Sequence, residues 1–126
     1  MDWRGWFLPR FGGRRPQPES LSPPQAEDLE QLAELEVRGS RLALPHPVRA
    51  MVTFEEEAPA RSAREQLEHE GLRCQLRSSP GAGWLVTAIV ELVPTPGAIT
   101  RLREQMEDVA QELGGHYRGW EAPVVR

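Results

Sequence analysis

The chain contains no lysine and no asparagine, a single cysteine, and no long apolar run. Each absence excludes something. With Cys74 alone there is no internal disulfide and no multi-cysteine metal site, so a reducing compartment, the cytoplasm, is the expectation. The most apolar stretch, Trp84 to Val90, falls far short of the roughly 20 residues a membrane helix requires. No membrane insertion is expected. Arginine supplies all 15 positive charges, which reads as the codon bias of a GC-rich genome because it stands on every type of surface. Against 19 acidic residues the net charge is −4, the wrong sign for a non-specific nucleic-acid binder.

What is present suits one modest core: 126 residues, 39% of them hydrophobic, enough for a single domain with a short appendage. Residues 1–21 are the expected appendage, a flexible segment rich in Pro, Gly and Arg. There Pro9, Gly12, Gly13, Pro16 and Pro18 interrupt any periodicity between Trp3, Trp6, Phe7 and the arginines Arg4, Arg10, Arg14 and Arg15. Arg14-Arg15 has the look of a twin-arginine signal, but Pro16-Gln17-Pro18-Glu19 follows where an apolar stretch belongs. The expected domain is 22–126.

A leading helix is predicted over 22–38. Ser22 is a good N-cap, Pro23 suits the first helical position, and Gln25 completes a capping box. Leu29, Leu32, Ala33 and Val37 mark its expected buried face, and Gly39 stops it. Pro45-His46-Pro47 reads as a stiff connector. Val48, Ala50, Val52 and Phe54 then alternate with Arg49, Met51 and Thr53, the period of a half-buried strand. Glu55-Glu56-Glu57 opens a second helix with Ala60, Ala63 and Leu67 inward, closed by Gly71. Leu72, Cys74 and Leu76 alternate with Arg73, Gln75 and Arg77 in a second strand, which places Cys74 in the core. Trp84 to Val93 reads as a strand buried on both faces. Thr95 and Pro96 start a long amphipathic helix through Ile99, Leu102, Met106, Val109, Ala110 and Leu113, and His116 to Trp120 is a short last strand.

The order after the leading helix is strand, helix, strand, strand, helix, strand. Its simplest closure is an α+β, ferredoxin-like βαββαβ sandwich: a four-stranded antiparallel sheet with two helices on one face, preceded by the extra helix. The first and third strands are then central, and the Arg-bearing second and fourth strands form the edges.

Catalytic groups are hard to find. His46, His69 and His116 fall in a connector, a helix end and a strand start, none at ligand spacing with another His, Cys or carboxylate, and are read as ordinary surface residues. Gly81-Ala82-Gly83 has no following helix and no Lys, so it is no phosphate loop. Glu55-Glu56-Glu57 serves the helix dipole, and Glu104, Glu107, Asp108 and Glu112 are the wet side of the last helix. No enzyme, cofactor or metal is expected. What remains is the outer sheet face, where Arg49, Arg73, Arg77, His116, Arg118 and Trp120 are the candidate partner-binding residues. Arginines with one aromatic ring suit a negatively charged protein, or single-stranded RNA held by stacking. The Glu-rich leading helix is complementary to that face, so it either covers part of it or leaves it open.

The run Ala98-Ile99-Thr100-Arg101-Leu102-Arg103, followed by Ala110-Gln111-Glu112-Leu113-Gly114-Gly115-His116-Tyr117-Arg118-Gly119-Trp120-Glu121, resembles the C-terminal signature of the RraB family, the regulators of ribonuclease E activity. His46-Pro47-Val48-Arg49 and Leu67-Glu68-His69-Glu70-Gly71-Leu72 fit as well, so the resemblance covers roughly residues 26–122. It departs at Arg118, where the family commonly has Asp. The resemblance implies a small non-catalytic protein that docks on a ribonuclease E-type nuclease and inhibits its cleavage of RNA. The alternative is a single-stranded RNA-binding module using the Arg-rich face.

Overall fold

The computed structural model describes residues 22–81 and 83–126; the expected flexible segment 1–21 lies outside the described residues. The elements run α1 (Pro23–Val37), β1 (His46–Phe54), α2 (Glu57–His69), β2 (Arg73–Ser79), β3 (Gly83–Leu92), α3 (Pro96–Leu113) and β4 (His116–Glu121). All strand pairs are antiparallel and the sheet order is β2-β3-β1-β4, the ferredoxin-like arrangement with β1 and β3 central. The edge strands carry Arg73, Arg77 and Arg118, whose charge discourages pairing with another chain.

The helix starts follow from capping chemistry. Ser22 Oγ accepts from the Gln25 amide while the Gln25 side chain accepts from the Ser22 amide, so both ends of the capping box are made. Thr95 Oγ1 caps α3 through Ala98, and Gly114 ends α3 in the left-handed region at φ 80°. The inward rows of the sheet are Val48, Ala50, Val52 and Phe54 on β1 and Val86 and Ala88 on β3. They pack beneath Ala60, Ala63 and Leu67 of α2 and Ile99, Leu102, Met106 and Val109 of α3. At roughly 25 cal/mol per Å² of apolar surface removed from water, this layer is the main source of stability.

Several local expectations need correction. On α1 the buried face is Asp28, Leu32 and Leu35, whereas Leu29 is 39% and Val37 86% exposed. The reason is polar. Asp28 Oδ1 accepts from Trp120 Nε1 and Oδ2 from Arg103 Nε, each at 3.0 Å, and Arg103 also reaches Glu107 at 3.3 Å. This buried pair rotates the helix so that the carboxylate, not the Leu29–Val37 stripe, points inward, and through Arg103 it draws Glu107 from the expected wet side of α3. Gln31 Nε2 adds a 2.6 Å bond to the Trp120 carbonyl. α1 therefore packs on α3 and the end of β4, within the helical layer.

Pro45-His46-Pro47 is not a connector beyond Pro45, since β1 begins at His46. His46 is fully buried rather than a surface residue. Its Nδ1 lies 2.7 Å from the Leu44 carbonyl, which can only accept, so that nitrogen carries the proton. In the neutral ring Nε2 then accepts from Ser40 Oγ at 2.6 Å, and the same hydroxyl accepts from the Val125 amide. This hub ties the C-terminal stretch to the loop after α1. β3 is buried on one side only. Val86 and Ala88 are covered, while Leu85, Thr87 and Ile89 on the other side are half-buried, and Val93 lies outside the strand. Cys74 is half-buried on the inward side rather than enclosed.

Candidate functional site

With all three helices on one side, no helix or strand among the described residues covers the other face of the sheet. The registers place its side chains in three rows. Arg73, Ile89, Arg49 and Glu121 form one; Gln75, Thr87, Met51 and Gly119 the next; Arg77, Leu85, Thr53 and His116 the third. Arg49, Arg73, Arg77, His116 and Arg118 are exposed, and Met51, Thr53, Leu85, Thr87 and Ile89 are half-buried by their neighbours in the sheet. Among the described residues no carboxylate forms an ion pair with Arg49, Arg73, Arg77 or Arg118. Their charge is spent on solvent.

Trp120 is not part of this face. It is 5% exposed, in the core, with its indole on Asp28. Simple alternation would put Arg118 and Trp120 on one side and Tyr117 and Gly119 on the other, but the ladder shifts between Met51 and Val52. Val52 faces Tyr117 and Met51 faces Gly119, so Arg118 is an extra residue in β4. This β-bulge brings Tyr117 and Trp120 to the same, inward side. Gly119 supplies the backbone for it at φ 112°, a left-handed conformation that glycine adopts without a steric penalty. Arg118 is left on the outer face, its Nε donating to Thr53 Oγ1 at 2.8 Å.

One consequence is chemical. Phe54, Trp84, Tyr117 and Trp120 all pack toward the core, so among the described residues the His116 imidazole is the one ring on the open face. Platforms that stack successive bases array several rings, and this face has one. The sequence reasoning placed Arg49, Arg73, Arg77, His116 and Arg118 together, and the structure does bring them onto one surface. It missed Leu85, Thr87 and Ile89, which form the lane between the arginines. Their signal was the β3 alternation itself, masked by treating the whole strand as buried.

The remaining chemistry is thin. Burial, with Glu68 nearby, pushes the Cys74 thiol up to about 11 from its ordinary 9.0, the opposite of an activated nucleophile. Burial also raises Glu107, against the lowering pull of Arg103. Among the described residues no group of three His, Cys, Asp or Glu side chains is placed to hold a metal ion, and no helix is long and apolar enough to cross a membrane. A groove of about 660 Å³ lies between α1 and the end of β4, lined by Glu27, Glu30, Glu34, Leu35 and Glu121 among others. It holds carboxylates without a nucleophile or a base to pair with one. The helical side is acidic, and the open sheet face is basic apart from Glu121 and Glu91 at one end of it.

Fold and surface together define a small α+β sandwich whose chemistry lies in an open, charged sheet face. Comparison with known families gives the rest: the chain belongs to the RraB family, regulator of ribonuclease activity B, whose model matches residues 25–122. Membership makes it a non-catalytic regulator of ribonuclease E activity, with ribonuclease E as its partner. No curated protein matches the chain.

Proposed function

We propose that this chain restrains ribonuclease E in the cytoplasm by docking on the nuclease through the open sheet face. Arg49, Arg73, Arg77 and Arg118 supply the charged contacts, and His116 a polar one. The observation that carries this reading is the pairing of exposure with chemistry: five cationic or titratable side chains surround half-buried Met51, Leu85 and Ile89 on the one sheet face that no described element covers. Interface cores combine an apolar centre with arginine, and desolvated arginines are frequent hot spots. The acidic helical side works with it, since a polarised molecule is turned by the partner's field so that its basic face leads.

Direct RNA binding is the competing reading. Base stacking has little support on a face whose one ring is the His116 imidazole, and a net charge of −4 opposes non-specific attraction to phosphates. The test is a footprint. Amide and methyl chemical shifts of the labelled protein, titrated with the ribonuclease E of its host, should move at Arg49, Met51, Arg73, Arg77 and Arg118 and stay still along α1 and α2. Shifts confined to the helical layer would overturn the assignment of the face.

A further inference from the structure

The open face has a shape as well as a charge. Its cations stand in two columns. Arg73 and Arg77 line the β2 edge, and Arg49 and Arg118 stand on the β1–β4 side, with the His116 ring beside them. Between them runs a lane without charge: Leu85, Thr87 and Ile89 along β3, with Met51 and Thr53 beside them on β1. Neighbouring strands lie about 4.8 Å apart, so β2 and β1 are separated by roughly 10 Å and β2 and β4 by roughly 14 Å. An α-helix with its side chains is about 10–12 Å across.

Resting on the docking reading above, we propose that the occupant of this face is an acidic amphipathic helix of the nuclease, lying along β3 with its apolar stripe on Leu85, Ile89 and Met51 and carboxylates on both flanks. Two arguments select a helix over an extended segment. A segment laid across the face of a sheet cannot join the ladder, whose hydrogen bonds run in the plane of the strands. An extended chain would therefore turn its amides toward apolar side chains without partners, whereas a helix satisfies its own backbone. An extended chain also spans a single strand's width and leaves half of the lane wet. The sign follows from charge: among the described residues the arginines of both columns have no carboxylate partner, and rows of Asp or Glu along both flanks of the apolar stripe would reach both columns at once.

A rival occupant is visible in the molecule itself. The outward side of α1 carries Leu29, Ala33 and Val37 beside Glu27, Glu30 and Glu34, the same chemistry on a second copy of this chain. The experiment separates the possibilities. Hydrogen exchange on the complex with intact ribonuclease E should protect one nuclease segment of net negative charge with apolar residues at helical spacing. Arg73→Glu with Arg77→Glu should weaken the complex at least ~30-fold, and reversing the acidic residues of the protected segment should restore it. A protected segment that is basic or without helical periodicity would overturn the helix while leaving the docking face in place, whereas an affinity that charge reversal does not change would refute both. Protection of this chain along its helices instead would refute the docking face itself. Concentration-dependent assembly of the protein alone, abolished by Glu30→Arg with Glu34→Arg, would assign the lane to α1 of a second copy and refute the nuclease helix.

Discussion

At the scale of single residues, Asp28 and Arg103 decide more than any apolar side chain outside the sheet. Periodicity sees only the apolar positions of α1, and Leu29, Ala33 and Val37 describe a stripe as regular as the one that is buried. What selects between them is a carboxylate 75 residues away in sequence from its guanidinium partner. No local pattern carries that information. Removing one partner of a buried pair leaves the other charge desolvated, at about 3–5 kcal/mol. Asp28→Ala is accordingly expected to cost about 3 kcal/mol in denaturant unfolding, moderated because Arg103 keeps Glu107. Binding to the nuclease should survive in the molecules that remain folded. A loss under about 1 kcal/mol would mean that α1 is held by Leu32 and Leu35 alone.

Cys74 gives a pH signature at the same scale. Its thiol ionises near 11 in the folded protein against 9.0 ordinarily, so the folded state holds the proton more tightly. The contribution to stability is complete below pH 9 and declines as pH rises toward 11, because the unfolded chain gains its thiolate first. Thermal unfolding followed from pH 8 to 11 should fall more steeply for the wild type than for Cys74→Ala. Equal slopes would place the thiol in open solvent. Its alternation with Arg73 and Gln75 already indicated the inward side. The half-coverage was not legible, because it depends on how far α2 reaches over β2, an edge strand as expected.

Elements show where reading by period succeeds and where it fails. Every helix and strand of the sandwich was legible, since caps, breakers and alternation agree at most boundaries, the start of β1 at His46 being the exception the prolines concealed. The fourth strand was legible as a strand but not in its faces. Counting by twos assumes that no residue is inserted, and Arg118 is one; glycine at 119, free to take a positive φ, was the available hint. The bulge makes a testable separation between folding and function. Deleting Arg118 joins Tyr117 to Gly119 and leaves an unbroken ladder on β1, with Tyr117 and Trp120 both still inward. The deletion variant should fold with a stability within about 1 kcal/mol of the wild type and keep its Trp120 fluorescence shielded, while its affinity for the nuclease drops. An exposed Trp120 in that variant would show that the bulge is required to bury the ring.

For the whole molecule, the distribution of charge matters more than its sum. The net −4 hides an acidic helical layer and a basic sheet face on opposite sides, a polarity that would orient the protein toward a partner presenting negative charge, as proposed above. The clustering was legible in the alternation of β1 and β2. That the face stays open was not, because the leading helix had two surfaces it could cover, and the buried Asp28–Arg103 pair settles which. Inhibition of RNA cleavage by ribonuclease E tests the central claim most directly, with the wild type compared to Arg49→Glu combined with Arg77→Glu. Both side chains are exposed, so the double variant should unfold within about 1 kcal/mol of the wild type. The concentration needed for half-inhibition should rise at least ~30-fold, the loss of one or more interface hot spots. A well-folded double variant that inhibits as strongly as the wild type would contradict the account.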